Sequence, residues 1–243
     1  MGRLLAEEVP AAGATLAGGT IQEGVDQPPA GVTLFANIHK LAEHCDLVID
    51  FTHASTVARH AQILAATKTP WVLGTTGYSS ADQAAINEAA QHIPLIAAPN
   101  YSPGVNLVMI LAERLAAALP AAQYDAEILE MHHRQKVDAP SGTALGIGRA
   151  VAAGRGQNFD QVAITSRDGH TGPRPDGAIG FAALRGGQVV GDHSLIFASG
   201  SEHITLRHEA LDRRVFAVGA VRAALWLEGK APGIYTMRDV LGL

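Results

Sequence analysis

Residues 46–98 read DLVIDFTHASTVARHAQILAATKTPWVLGTTGYSSADQAAINEAAQHIPLIAA, and the periodicities within them select an α/β architecture. Three compact apolar runs, at 46–51, 71–74 and 94–98, are bounded by polar or glycine-bearing turns, the mark of buried strands. Between them lie two amphipathic helical segments. The first, 55–66, carries Val57, Ala58, Ala61, Ile63, Leu64 and Ala65 on its apolar stripe. The second, 80–92, opens on Ser79 and Ser80 as cap candidates. Strands alternating with such helices form βαβ units in a parallel sheet. Ligands of open α/β sheets bind beyond the carboxyl ends of the strands. The loops there are Phe51-Thr52-His53, Gly74-Thr75-Thr76-Gly77 and Pro99-Asn100-Tyr101-Ser102. Gly74 and Gly77 permit close backbone approach, and the threonine hydroxyls can meet phosphate or ribose. Any one of these loops reads as ordinary turn chemistry; three at one sheet edge point to a ligand.

Toward the amino terminus, 37–44 reads as a short helix, 20–31 as a Gly- and Pro-rich surface loop, 14–19 as a short apolar strand, and 1–12 as a helix stopping at Pro10. Toward the carboxyl terminus the pattern changes after Gly104. Residues 105–119 make a long helix and 126–132 a strand, while 179–184, 189–197 and 203–208 are strands with no helix between them. Gly186-Gly187 reads as a hairpin turn and Gly200-Ser201 as another. This half is therefore expected to be a mostly antiparallel sheet with helices packed on it, and 165–177, rich in Gly, Pro and charge, a long mobile loop. The strongly apolar helix at 215–227 is more like the first half, so the chain is expected to return to its first domain.

Bulk properties narrow the function classes. With 243 residues, 47% hydrophobic and 17% charged, the chain can bury the core of one large or two modest domains. A formal net charge of −5 without a basic run argues against a nucleic-acid partner. The single cysteine, Cys45, excludes an internal disulfide framework and a cysteine-based zinc site, and reads as a small buried hydrophobe. No stretch approaches the ~18–20 apolar residues of a membrane span, and no basic-then-apolar leader pattern opens the chain. A cytoplasmic protein without membrane association is expected.

The chemistry concentrates in residues 130–144, EMHHRQKVDAPSGTA. A strand ends in a polar turn, and Ser141-Gly142-Thr143 then opens a helical run at 144–153. A helix N-terminus leaves backbone N–H groups unpaired and carries partial positive charge. Gly142 admits a ligand to the backbone, and the Ser141 and Thr143 hydroxyls add donors. His132 and His133 can both reach one pocket only if the strand ends there, because successive strand residues face opposite ways. A lone histidine is usually structural; two, beside Lys136 and a helix N-terminus, read as proton donors near an anion. Metal binding is disfavoured, since no HExxH pattern or acidic partner at ligand spacing accompanies the pair. Ser141 lacks the G-x-S-x-G elbow of a hydrolase and sits where a helix cap belongs. The residues alone describe a pocket for a carboxylate-bearing molecule that needs a proton.

This stretch resembles the signature of the 4-hydroxy-tetrahydrodipicolinate (dihydrodipicolinate) reductase family. The likeness extends to DFT at 50–52, GTTG at 74–77, NYSPGVN at 100–106, VGDHSLIF at 190–197 and FAVGAVRAALWL at 216–227, so it covers nearly the whole chain. The resemblance implies an α/β fold: a Rossmann-like dinucleotide-binding domain, here 1–103 completed by 213–243, with an inserted α+β substrate and tetramerisation domain at 104–212. It implies a homotetramer assembled through the substrate-domain sheets. It implies hydride transfer from NADPH or NADH to a cyclic dicarboxylate imine, with loss of the 4-hydroxyl as water. Carried over residue by residue, the proton donor falls on His132 and the lysine acid on Lys136. Substrate contacts fall on His133, Ser141, Gly142 and Thr143, and the cofactor on Gly74, Thr75, Thr76, Pro99, Asn100, Tyr101 and Ser102. Arg213 is expected to make a helix-start or interdomain salt bridge.

The sequence departs from the family pattern twice. The family opens with a strand and the loop G-x-x-G-R-M-G, whereas Met1-Gly2-Arg3-Leu4-Leu5 matches only the end of that loop and the helix after it. Two explanations stand: the start is misplaced at the loop's own methionine, or the fragment is real, in which case weakened cofactor binding and a less stable first domain are the expected consequences. After the 14–19 segment, Ile21 and Gln22 stand where an acidic residue normally holds the NAD ribose, with Glu23 slightly further on, so cofactor preference stays open. Two rivals stand beside the reductase reading: another Rossmann-type oxidoreductase acting on an imine or semialdehyde, and a non-catalytic homologue that keeps only the oligomer scaffold.

Overall fold

The computed structural model describes residues 1–22 and 30–243, so Glu23 lies outside the described residues. The chain divides into two compact units, 1–103 with 214–243, and 104–213.

The first unit begins with α1 (Gly2–Ala11), α2 (Ile38–Ala42) and β1 (Val48–Asp50). A single 3₁₀ turn (Ala54–Thr56) leads into α3 (Val57–Thr67), followed by β2 (Trp71–Leu73), α4 (Ser80–Ala89) and β3 (Pro94–Ala97). Helix α4 starts with a capping box: Ser79 Oγ accepts from the Asp82 amide at 3.2 Å and the Asp82 carboxylate accepts from the Ser79 amide at 2.8 Å. Helix α1 ends one residue past Pro10, whose missing N–H and whose ring, set against the preceding turn, keep the helix from continuing.

Segment 14–19 is not a strand. Among the described residues its only ladder contact is an isolated parallel bridge, Gly19 to Leu34. Two consecutive glycines, with Gly18 at φ 153°, deprive it of the side chains that favour pairing. Leu16 and Val32, together with Leu5, Leu47 and Val221, help line a cavity of about 1040 Å³ in this unit.

The second unit contains α5 (Pro103–Ala118), β4 (Asp125–His132), α6 (Gly142–Gly154), α7 (Phe159–Val162), β5 (Ala163–Ile164), β6 (Ile179–Arg185), β7 (Gly191–Ala198) and β8 (His203–Ala210). Its sheet runs β5-β6-β4-β7-β8. The β5/β6 and β6/β4 pairs are parallel, and β4/β7 and β7/β8 antiparallel. The sheet is thus mixed rather than mostly antiparallel. Gly186-Gly187 does not close a hairpin, because β4 lies between β6 and β7. The turn arches over the end of β4 instead: the Gly186 amide donates to the His132 carbonyl at 3.0 Å and the Gly187 carbonyl accepts from the Arg134 amide at 3.3 Å. A glycine pair marks a reversal of direction, which leaves open whether the flanking strands are neighbours. The turn at 199–202 does join paired strands, with the Ser199 amide on the Glu202 carbonyl at 2.9 Å.

One face of this sheet packs on α5 and α6 through Val108, Ala112, Ile147, Val151, Ile128 and Phe197. The other face carries Glu127, Leu129 and Met131 of β4, with Leu129 38% and Leu184 49% exposed. Loop 165–178 is tied down on that side. Arg167 makes two hydrogen bonds of 2.8 Å to the Glu127 carboxylate, and Arg174 bonds Glu127 at 2.9 Å and Asp125 at 2.8 Å. Gly180 belongs to this arrangement, since a Cβ there would collide with the Glu127 carboxylate.

The chain then re-enters the first unit as α8 (Arg214–Leu227), β9 (Gly233–Tyr235) and α9 (Met237–Leu241). Strand β9 completes a parallel sheet of order β1-β2-β3-β9. Alternation along β2 builds two cores. Trp71 and Leu73 face Val57, Leu64 and Ile86 on one side, and Val72 faces Leu5, Ile96, Ala220 and Leu227 on the other. A strand covered on both faces is apolar throughout, as a parallel sheet requires. The ion pairs at the start of α8 belong to Arg214, which engages Glu7 and Glu8 of α1, while Arg213 is exposed.

Candidate active site

Strand alternation assembles the centre of the second unit. Along β4, Ala126, Ile128, Glu130 and His132 all point to the helix-covered face and are buried. Register places His193 of β7 opposite Glu130 and Arg185 of β6 opposite His132. The apolar core therefore gives way, over the last two inward positions of β4, to a polar cluster at the strand's carboxyl end.

Glu130 is its hub, only 1% exposed. Oε2 accepts from His132 Nδ1 at 2.6 Å and from Arg185 at 2.8 Å. Oε1 accepts from Arg185 at 2.8 Å and from the Ser141 amide at 3.0 Å. Burial opposes ionisation, but the hydrogen bonds from His132, Arg185 and the Ser141 amide outweigh it and hold the carboxyl down at about 2. Glu130 is therefore a carboxylate at neutral pH, and acceptor only. Nδ1 of His132 must carry the hydrogen in that 2.6 Å contact, which leaves Nε2 to meet a ligand. Gly191 keeps room there, since a Cβ at that position would stand 3.2 Å from Nε2.

Ser141 is the N-cap of α6, its Oγ accepting from the Ala144 amide at 3.2 Å. That same Oγ lies 3.0 Å from His193 Nε2, and the His193 ring meets His132 edge-on at 4.9 Å between centroids. Gly142, the first residue of α6, is exposed, and a Cβ there would meet nothing within 4 Å, so the start of the helix has open space beside it.

His193 is 4% exposed and its Nδ1 has no hydrogen-bond partner. Burial, and the neighbouring His132, push its imidazole down to about 4; Glu130, His208 and Asp192 are the other ionisable groups that act on it. The unfolded chain takes up this proton at about pH 6.5, the folded one only near 4. The stability concerned is complete above the higher value and is lost as pH falls through the lower one. Unfolding free energy is thus expected to drop by roughly 3 kcal/mol across that window, and His193→Gln to flatten the slope. Denaturant midpoints measured through the window test this, and an unchanged slope in the variant would assign the titration to another group.

The other predicted residues in this unit sit around the cluster. His133 follows directly after β4, and its Nδ1 is buried without a partner. The strand ends at His132, which satisfies the geometric condition on adjacent histidines. Lys136 Nζ bonds both carboxylate oxygens of Asp138, at 2.8 and 2.9 Å, so its charge is held at the turn rather than spread into solvent. Glu130 lies inside the 130–144 motif with no role evident from the sequence, and neither Arg185 nor His193 stands out as a site residue there. A signal was present for Glu130: an acidic residue in phase with Ala126 and Ile128 faces the core, and a buried charge demands partners. His193 is likewise in phase with Leu195 and Phe197. Arg185 needed the pairing of β6 with β4.

In the first unit the three predicted loops leave the carboxyl ends of β1, β2 and β3, which lie side by side. Several of their side chains turn inward. Asp50 is buried, accepting from Thr52 Oγ1 at 2.6 Å and His60 Nδ1 at 2.8 Å; burial would raise its carboxyl, but the bonds from His60 and Thr52 hold it below the ordinary range. Thr75 joins this network, its Oγ1 accepting from the Thr52 amide at 3.0 Å. Tyr101 is buried, with its hydroxyl shared between the Leu73 and Ile96 carbonyls at 2.7 and 3.0 Å, and Ser102 is buried beside it. Gly74 answers to packing, since a Cβ there would collide with the Phe51 ring. Thr76, Gly77 and Pro99 are exposed, and Gly77 has φ 78° with open space around it.

Among the described residues no helix is long and apolar enough to cross a membrane, and no group of three or more His, Cys, Asp or Glu side chains could hold a metal ion.

Comparisons with known proteins agree over the whole chain. Residues 1–101 match the family description "Dihydrodipicolinate reductase, N-terminus" and residues 104–241 match "Dihydrodipicolinate reductase, C-terminus". The chain is 60% identical over 244 residues to the 4-hydroxy-tetrahydrodipicolinate reductase of Granulibacter bethesdensis, covering 100% of this chain and 93% of that protein. To the protein of the same name from Acidiphilium cryptum it is 63% identical over 243 residues, covering 100% and 94%. In fold it is similar to the solved dipicolinate-bound dihydrodipicolinate reductase from a Paenisporosarcina species, with a TM-score of 0.75 at 22% identity over 97% of this chain and 92% of that one.

Proposed function

The chain belongs to the dihydrodipicolinate reductase family, and from that membership we propose that it reduces 4-hydroxy-tetrahydrodipicolinate in lysine and diaminopimelate biosynthesis. In balance, the substrate, one reduced nicotinamide cofactor and one proton give tetrahydrodipicolinate, the oxidised cofactor and water. The observation that carries the reading at the level of residues is the Glu130–His132 pair, buried on β4 next to the exposed N-terminus of α6.

His132 is the proton donor: Nε2 gives its proton to the ring carbon that accumulates negative charge, and the imidazole is left with its Nδ1 hydrogen on Glu130. The amides and hydroxyls of Ser141, Gly142 and Thr143 take one substrate carboxylate, with Lys136 and His133 as further contacts. When bound, NADPH or NADH supplies the hydride. The first unit's loops fit such a group, because the exposed main chain around Thr76 and Gly77 stands at the carboxyl edge of a parallel sheet. Gly74, Thr75 and Thr76, and Pro99 to Ser102, would line it. Thr75, Tyr101 and Ser102 would contribute backbone, since their side chains are buried.

We assign the assembly as a homotetramer formed through the second unit's sheet. Support comes from its helix-free face, where Leu129 and Leu184 are exposed among charged side chains. The reaction is placed in the cytoplasm. Purified protein is expected to oxidise NADPH or NADH only when 4-hydroxy-tetrahydrodipicolinate is present, with dipicolinate competing, and to show a tetramer mass by light scattering. Dipicolinate binding without turnover would favour the non-catalytic homologue; neither binding nor turnover would remove the reductase reading.

A further inference from the structure

The geometry points to Glu130 as the positioning residue of the reaction: one buried carboxylate commits His132 to react through Nε2 and fixes where the anion-binding turn stands relative to it. The inference rests on the reading of His132 as the proton donor and adds a device that this reading does not require. Four hydrogen bonds converge on the two Glu130 oxygens, and they come from three parts of the chain: the His132 ring, the Arg185 guanidinium on β6, and the backbone amide of Ser141. The amide is the telling partner. Ser141 is the cap of α6, so the residue that orients the acid also anchors the first turn of the helix proposed to hold the substrate carboxylate. The distance from proton to carboxylate site is then set by a single side chain rather than by two independently mobile elements. Arg185 holds the hub from the far side and ties it to the approach loop, donating to the Asp138 carbonyl at 2.6 Å.

An ionised carboxylate has no hydrogen to give, so the neutral ring beside it must carry hydrogen on Nδ1 and present a lone pair at Nε2. An amide in the same place can reverse this. In Glu130→Gln the side-chain NH₂ can donate to Nδ1, which moves the ring hydrogen to Nε2 and gives the wrong tautomer for taking up and delivering a proton there. An analogous carboxylate-to-amide change next to a catalytic histidine costs about 10⁴-fold in turnover in serine proteases.

Turnover of Glu130→Gln is expected to fall by about 10²–10⁴-fold, with KM for the substrate moving much less. Imidazole ¹⁵N shifts, with His132 assigned by its loss in His132→Gln, are expected to show the Nδ1–H tautomer in the native protein and the Nε2–H tautomer in Glu130→Gln. Combined with His132→Gln, the Glu130 change should cost almost nothing further, because the group it positions is gone. Normal kcat in Glu130→Gln alongside a slow His132→Gln would overturn the positioning role and leave the reductase reading intact. An equal loss in both backgrounds would also overturn it, by showing that Glu130 acts elsewhere. Normal kcat in His132→Gln would remove the proton-donor reading and this inference with it. Should Glu130→Gln not fold, the native tautomer decides alone: Nδ1–H upholds the proposal and Nε2–H defeats it.

Discussion

His132→Gln is expected to lower kcat by about 10²–10⁴-fold, the range spanned by general acid catalysis, in a protein that remains folded. Glutamine has comparable bulk, and its amide can still donate to Glu130, so the buried carboxylate keeps a partner. What it lacks is a proton that can leave near neutral pH. The cost should therefore appear in kcat and in kcat/KM alike, the signature of an interaction made only in the transition state. Little change in KM is expected, because the carboxylate cradle proposed at Ser141 to Thr143 does not depend on the imidazole. The ring's edge contact with His193, 4.9 Å between centroids, is also lost; with about 0.5–1.5 kcal/mol for such an aromatic pair, the fold should survive. Steady-state kinetics and an unfolding curve on the same preparation separate the two effects. Near-normal turnover in the folded variant would exclude His132 from the mechanism.

The second large effect is expected in the first unit. Gly219→Val should destabilise it by about 2–4 kcal/mol and disturb the loop assigned to the cofactor. Gly219 lies on the buried side of α8, where a Cβ would overlap the Tyr101 carbonyl oxygen and stand 3.3 Å from Pro103 Cδ. Neither neighbour yields easily. Tyr101 is anchored through its hydroxyl to the carbonyls of Leu73 and Ile96, and so to β2 and β3. Helix α8 is pressed against the same sheet by Ala217, Ala220, Ala223 and Leu227. A side chain at 219 must therefore lift the helix from its core or push the 99–102 loop out of place. A lower denaturant midpoint with raised KM for the nicotinamide cofactor is the expected pair of results. An unchanged midpoint would show that the helix can shift without cost.

Both effects trace to parts of the sequence that were legible to different degrees. The parallel sheet of the first unit was readable from 46–98 because fully buried strands and amphipathic helices leave separate periodicities. The segment 14–19 misled because its composition is apolar, while its fate depended on a neighbour to pair with and on two glycines that weaken pairing. The second unit's strands were found nearly in place, but their order was not. Local signals such as Gly186-Gly187 record a reversal of direction, and only the three-dimensional register reveals that β4 occupies the gap. The candidate active centre was half visible for the same reason. His132 and Ser141 lie in one contiguous motif, whereas Arg185 and His193 arrive from strands whose pairing with β4 no local pattern encodes.

The central position of β4 also sets an order of assembly. Ala126 pairs with Ile179 on one side and Phe197 on the other, so the strand carrying Glu130 and His132 is synthesised well before either partner. Until residue 198 has left the ribosome, β4 cannot have both edges paired, and its charged hub lacks Arg185 and His193. Closure of such distant contacts is slow compared with a hairpin, and an unpaired strand is a template for wrong partners. In the nascent chain, the strand that carries the proposed proton donor is thus among the last to be enclosed.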